Sequence, residues 1–203
     1  MKGGNFVVLA SGRGSNFQAI LDRVSDGTIP ASCTALITDN PEAPAIKRAE
    51  DAGIAVEVIH YHAFPDKSRY EEALIAVISR YTPDLVILAG YMRLLGDRIV
   101  GAYAGRMINI HPSLLPAFPG LHAQRQALEY GTKVAGCTVH FVTNDMDAGP
   151  VIIQRTVPVL DDDTEDILAD RILTVEHQAF PDVIRLYFEG KIRLDGRKVR
   201  ILS

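Results

Sequence analysis

The 203-residue sequence contains no tryptophan, only two cysteines and no excess of positive charge. Cys33 and Cys137 are too few and too far apart for a disulfide framework or a Cys-x-x-Cys metal site, so a reducing, cytoplasmic location is expected. Twenty-one Lys and Arg stand against 25 Asp and Glu, a formal net charge of −4. No general positive field gathers phosphate backbones, and nucleic acid is not an expected partner. Apolar runs are short: the N-terminus offers only Phe6 to Ala10 before glycines, and no later run approaches the roughly 20 residues that span a bilayer. Neither a signal peptide nor a membrane segment is expected. What is present, 47% hydrophobic and 23% charged residues, is the composition of a globular chain able to bury a core without covalent staples.

Short runs rich in Val, Ile and Leu alternate with stretches of helical periodicity, the pattern of βα units that build a parallel sheet. Strands are expected at Phe6 to Ala10, Cys33 to Thr38, Ala55 to Ile59, Leu85 to Ala89 and Met107 to Ile110. Most of these runs lack polar alternation, which predicts helices on both faces. Phe17, Ile20, Leu21 and Val24 recur at helical spacing, as do Tyr70, Leu74, Val77, Ile78 and Tyr81. Ser68 and Glu71 have capping-box spacing at the start of the second helix. After the proline-rich SLLPAFPG, Cys137 to Val142 and Val151 to Val159 read as two strands of an antiparallel edge, joined by NDMDAGP. Asp161, Asp162, Asp163, Thr164 and Glu165 precede a helical face of Ile167, Leu168, Ile172, Val175 and Ala179, which Pro181 is expected to kink or restart. The basic tail from Lys191 to Arg200 reads as a solvated terminal hairpin. No repeat or linker divides the chain, so residues 1–203 are expected to form a single domain.

The first strand runs into Ser11-Gly12-Arg13-Gly14-Ser15-Asn16 and then a helix. Glycines let a backbone approach an anion, and N–H groups at a helix start can hold a phosphate. A tight turn with nothing bound fits the same residues equally well. Dinucleotide binding is a rival, because Asp39 follows the second strand where a ribose-binding acid would belong. Phe17 replaces the third glycine of that fingerprint, which favours a single phosphate. Further on, Asn109 and His111 share one face at the carboxyl end of a strand, where open α/β sheets place ligands. An amide and an imidazolium there can both donate to a developing oxyanion; an ordinary capping Asn and a hydrogen-bonded His are the plain alternative. Asp147 offers a carboxylate that could orient the histidine and favour its charged form, with Asp145 an equal candidate on composition. His140, inside TVHFV, reads as structural. His60 and His62 lack a third ligand, so no metal site is expected there. His122 borders the proline-rich loop, and His177 carries no independent argument.

Five segments, VVLASGRGSNFQAI, ILAGYMRLL, NIHPSLLPAFPGLHA, TVHFVTNDMDAGPVI and VEHQAFP, together resemble the phosphoribosylglycinamide formyltransferase family of purine biosynthesis over nearly the whole chain. The resemblance implies a three-layer α/β sandwich with a mostly parallel, Rossmann-like central sheet and an antiparallel C-terminal edge. It implies transfer of a formyl group from 10-formyltetrahydrofolate, a co-substrate, to the amine of glycinamide ribonucleotide, with no metal. Asn109 and His111 would stabilise the tetrahedral intermediate, and Asp147 would support His111 and help move protons. Gly12, Arg13, Gly14, Ser15 and Asn16 would hold the phosphate and Glu176 the ribose side. Met92, Arg93, Leu94 and Leu95 would line the folate pocket, together with Asn109, and Thr143, Asn144, Asp145, Met146 and Asp147 would close around the pterin. Partners would be small molecules only, and the assembly a monomer or homodimer.

Two positions depart from the family pattern. Lys67 stands where an arginine often meets the carboxylated end of the folate, keeping the charge but losing the bidentate fork. Gln124 takes a histidine's place in GLHAQ. Methionyl-tRNA formyltransferase and formyltetrahydrofolate hydrolase carry extra domains, so the length favours the ribonucleotide branch. A nucleotide-binding regulatory module with a dead site is the rival from another class, and the joint presence of Asn109, His111 and Asp147 argues against it.

Overall fold

A computed structural model describes residues 3–202. Its strands form a seven-stranded sheet of order β3-β2-β1-β4-β5-β6-β7 and a separate two-stranded sheet. The expected mostly parallel α/β architecture with an antiparallel edge is therefore observed. The chain divides into two compact units, residues 1–108 and 109–203.

The first unit holds β1 (Gly4–Leu9), α1 (Ser15–Ser25), β2 (Ala31–Thr38), α2 (Ala45–Asp51), β3 (Ala55–Val58), α3 (Lys67–Arg80), β4 (Leu85–Leu88) and α4 (Asp97–Ala102). The pairs β1–β2, β1–β4 and β2–β3 are all parallel. Phe6, Val7, Val8 and Leu9 are fully buried, as are Leu85, Val86 and Ile87, so these strands have no solvated face and need none of the polar alternation their sequence lacks.

The expected capping box at α3 is not formed. Asp66, one residue before the helix, accepts from the Arg69 N–H at 2.8 Å, and Ser68 falls inside the first turn. The Glu71 carboxylate is drawn elsewhere: it is buried and accepts the Gly96 N–H at 2.7 Å, at the start of α4. A Cβ at Gly96 would lie 2.8 Å from Glu71 Oε2, which accounts for the glycine there.

Strand β5 (Met107–His111) crosses the boundary between the units. The second unit contains α5 (Ala123–Tyr130), β6 (Val134–Phe141), β7 (Val151–Pro158), α6 (Glu165–Phe188), β8 (Ile192–Asp195) and β9 (Lys198–Ile201). β6 and β7 pair antiparallel, and β8–β9 is the expected terminal hairpin. Thr164 caps α6 by accepting from the Ile167 N–H at 3.3 Å, and Glu165 and Asp166 occupy its first turn, where the helix dipole favours negative charge.

Of the two effects expected of Pro181, a kink or a restart, the restart does not occur; the helix runs through it for 24 residues. Proline removes one N–H donor from the ladder, but Ala179, Phe180, Pro181, Val183 and Ile184 are all buried, and burial of this apolar stretch offsets the lost bond. No helix among the described residues is long and apolar enough to cross a membrane.

Candidate active site

In the first unit, β1 delivers the chain to Gly14, which takes a left-handed conformation at φ +69° and precedes α1 with no side-chain cap. The N–H groups of the first helical turn have no acceptor within the helix, and they sit at the positive end of its dipole. The loop is held from behind by its carbonyls: the Gly12 oxygen accepts from the Ala45 N–H at 3.2 Å and the Arg13 oxygen from Arg48 Nε at 2.9 Å. A Cβ at Gly14 would lie 2.8 Å from Ala45 Cβ, whereas one at Gly12 would meet nothing within 4 Å. Gly14 is therefore demanded by its own φ and by the approach of α2, independently of any ligand.

Asp39, weighed as a ribose-binding acid, has its carboxylate engaged inside the fold. It is 4% exposed, accepts from Ser11 Oγ at 2.5 Å through one oxygen and from Arg93 Nε at 2.6 Å through the other. Arg93 also lies over the Tyr61 ring at 4.2 Å. Of the remaining residues assigned to the folate pocket, Met92 and Leu94 are exposed, and Leu95 is buried. Lys67 pairs with Glu71 at 3.5 Å.

The second unit gathers the polar groups of β5 and the 143–148 loop. The carboxylate of Asp147 lies 3.4 Å from His111 Nδ1 and 3.8 Å from His140 Nε2, and accepts the Gly120 N–H at 2.8 Å. Asp145 is exposed, so of two carboxylates equal on composition only Asp147 turns inward. Its own backbone is left-handed, at φ +52°, a conformation that Asp tolerates better than most residues. Gly149 follows because a Cβ there would lie 1.7 Å from the Phe141 carbonyl oxygen. The D-x-G-P spacing thus records a close approach of loop to strand. His111 is 6% exposed and its Nε2 is 2.9 Å from the Phe118 carbonyl. That oxygen can only accept, so Nε2 carries a proton, and both ring nitrogens face acceptors.

His140 is a residue whose part the sequence conceals. Its Nδ1 lies 2.9 Å from the Phe141 carbonyl, which can only accept, and its Nε2 lies 3.2 Å from Asn109 Nδ2. Burial holds the ring below the usual histidine range, outweighing the raising influence of the Phe141 carbonyl and Asp147, while His111 adds to the lowering. A neutral ring protonated on Nδ1 presents a lone pair at Nε2, which accepts one Asn109 N–H and leaves the other for a ligand. The run TVHFV gives no sign of this, because only the folded contact to Asn109 distinguishes His140 from a core histidine.

A test follows from the sign of that shift. The unfolded chain binds a proton at His140 more readily than the folded one, so this residue contributes stability that is present above the usual histidine value and is lost as pH falls through it. Between about pH 7.5 and 5.5, the melting temperature of the wild type is expected to fall more steeply than that of His140→Gln, by at least about 2 °C. Parallel profiles would remove His140 from this role.

Glu176 is buried on α6. Together with burial, the larger cause, its charge helps push the Cys137 thiol up to about 12. His60 and His62 meet edge to face with ring centroids 5.7 Å apart, and His122 lies 3.5 Å from Glu165.

Residues 4–184, in both units, match the model of the family described as formyl transferase. The chain is 46% identical to phosphoribosylglycinamide formyltransferase of Escherichia coli (strain K12) over 202 residues, covering 96% of this chain and 95% of that one. The chain belongs to the phosphoribosylglycinamide formyltransferase family. This formyltransferase is similar in fold to glycinamide ribonucleotide transformylase 1 from Symbiobacterium toebii, with a TM-score of 0.98 and 48% identity over 100% of this chain and 96% of that one. A formyltetrahydrofolate deformylase from Pseudomonas syringae is also similar, with a TM-score of 0.93 at 26% identity, covering 100% of this chain and 67% of that one. The formyltransferase sheet is thus shared with an enzyme named for a different outcome, and the chemistry must be argued from the site.

Proposed function

We propose that this enzyme transfers the formyl group of 10-formyltetrahydrofolate to the amine of 5'-phosphoribosylglycinamide. The observation that carries the reading is the polar group built on β5, in which Asn109 has one N–H fixed by His140 and His111 lies against Asp147. The amine nitrogen attacks the formyl carbon, and the carbonyl oxygen becomes an oxyanion that accepts from the second Asn109 N–H and from His111, replacing the Phe118 carbonyl at Nε2. Collapse breaks the bond to folate N10. The proton lost by the amine is the one N10 gains, with Asp147 and His111 placed to pass it. Donors fixed before charge develops need no reorganisation as it appears, which is where such sites gain most of their rate.

The remaining assignments extend the same reading. Residues 12–16 hold the phosphate at the uncapped start of α1, and Glu176 takes the ribose side. Lys67, Met92, Arg93, Leu94 and Leu95, with Asn109 and the segment Thr143, Asn144, Asp145, Met146 and Asp147, bind the folate. Because the Arg93 guanidinium is engaged by Asp39, residues 92–95 offer the folate their backbone and the exposed Met92 and Leu94. The chain works as one formyltransferase domain, in the cytoplasm, as a monomer or homodimer, on small molecules and without a metal.

The deciding experiment incubates the purified protein with 10-formyltetrahydrofolate, with and without the ribonucleotide and with no ATP or added metal. Formylated ribonucleotide formed in step with tetrahydrofolate is the expected result. Tetrahydrofolate and formate released at the same rate without the ribonucleotide would identify a hydrolase, the activity that the deformylase likeness makes the second reading.

A further inference from the structure

Ser11, which immediately precedes the substrate segment 12–16, and Arg93, within the substrate segment 92–95, meet at one buried carboxylate. Asp39 Oδ1 accepts from the Ser11 hydroxyl, and Asp39 Oδ2 accepts from Arg93 Nε. Ser11 Oγ in turn accepts the Met92 N–H at 2.9 Å. Ser11 is further fixed through its backbone, where its N–H donates to the Gly90 carbonyl at 3.1 Å and its own carbonyl accepts from Asn40 Nδ2 at 3.2 Å. Arg93 is clamped on its other side by the face of Tyr61, which packs edge to face with Tyr70, whose hydroxyl meets that of Tyr91.

The position immediately before the phosphate loop and the first two residues of the folate segment therefore share one hydrogen-bonded unit. Each Asp39 oxygen has its own donor, and Ser11 uses its hydroxyl both ways. Asp39 is 4% exposed and needs both donors, because a buried charge short of partners is costly.

We propose that Asp39 is a positioning residue for both substrates, fixing the ribonucleotide loop through Ser11 and the folate segment through Arg93 and, by way of the Ser11 hydroxyl, Met92. The proposal rests on the assignment of those two segments as substrate sites. Asp39 touches no reacting atom, so its loss acts on binding and leaves the chemical step alone.

Asp39→Asn keeps the side chain's shape but offers one acceptor oxygen to two donors, and turns its NH₂ toward one of them. Loss of a hydrogen bond to a charged group is worth about tenfold in an equilibrium constant. The expected result is a rise of about tenfold in KM for the ribonucleotide and for 10-formyltetrahydrofolate alike, with kcat within about twofold of wild type. Ser11→Ala cuts the link to Met92 from the other side and is expected to raise both KM values. The double variant is expected to be no worse than Asp39→Asn alone, because both act on one unit.

Ile78→Val, in the buried face of α3, serves as a control for destabilisation and is expected to lower the melting temperature while leaving both KM values unchanged. Unchanged KM values in Asp39→Asn, a rise for one substrate only, or an equal rise in Ile78→Val would each overturn the proposal. If Asp39→Asn does not fold, Ser11→Ala decides by the same criteria. Calorimetry of wild type with the ribonucleotide and with tetrahydrofolate separates this proposal from the functional reading beneath it. If neither binds, the functional reading fails and this proposal with it; if both bind and the variants bind as wild type does, this proposal alone fails.

Discussion

His111→Ala and Asn109→Ala are each expected to lower kcat by about 10²-fold or more, with changes of less than about threefold in KM for either substrate. Both residues stand on β5 with their donors aimed by neighbours, Asn109 by His140 and His111 by Asp147. An oxyanion is a far better acceptor than the ground-state formyl oxygen, so removing a donor raises the barrier more than it weakens binding. The double variant is expected to lose less than the product of the two single losses, because the donors serve one oxygen and the second loss falls on a site already impaired. Steady-state kinetics on the three variants tests this. Full activity in either single variant, or a rise in KM that accounts for the whole loss in kcat/KM, would remove that residue from the chemistry.

Gly14→Val is expected to weaken ribonucleotide binding by at least about tenfold while folate affinity stays within about threefold. The phosphate reaches the amides at the start of α1 only if the loop keeps its path. Valine opposes that path twice: a β-branched residue at φ +69° costs about 1–2 kcal/mol, and its Cβ would lie 2.8 Å from Ala45 Cβ. Gly14→Ala with Ala45→Gly removes the 2.8 Å contact with Cβ but keeps a 3.0 Å approach to the Cα of residue 45 and the unfavourable φ, so it is expected to recover only part of the affinity. Calorimetry with each ligand, on variants shown by circular dichroism to be folded, makes the comparison. Loss of folate binding with retained ribonucleotide binding would exchange the two assignments.

The middle of the sheet was legible because Phe6 to Leu9 of β1 and all of β4 are buried on both faces and therefore written as uninterrupted apolar runs, whereas β3 and β7 are largely half-buried or exposed. The Asn109–His111 pair was legible because polar side chains at the end of such a run are costly to bury unless a partner or a ligand meets them. Short helices such as α2 and α4 were not, since six or seven residues carry too few turns for a period to emerge. The position of Glu71 relative to Ser68 suggested a cap, but spacing reports only what lies within reach, and the Gly96 N–H, 25 residues away, takes the carboxylate. The partners of Asp39 were hidden for the same reason: an acid after the second strand looks alike whether it meets a hydroxyl of a nucleotide or, as here, Ser11 and Arg93. Asp147 separated from Asp145 only when a left-handed backbone turned one inward.

The bond from Gly96 to Glu71 also bears on how the protein opens. A helix of six residues cannot persist by itself in water, and α4 has its leading N–H held by a carboxylate that exists in place only while α3 is folded. The two helices should exchange their amide protons with solvent as one cooperative unit, with the α4 amides no faster than those in the middle of α3. Glu71→Ala, which removes the acceptor altogether, would divide that unit, releasing α4 to fray at low free-energy cost while α3 keeps its protection.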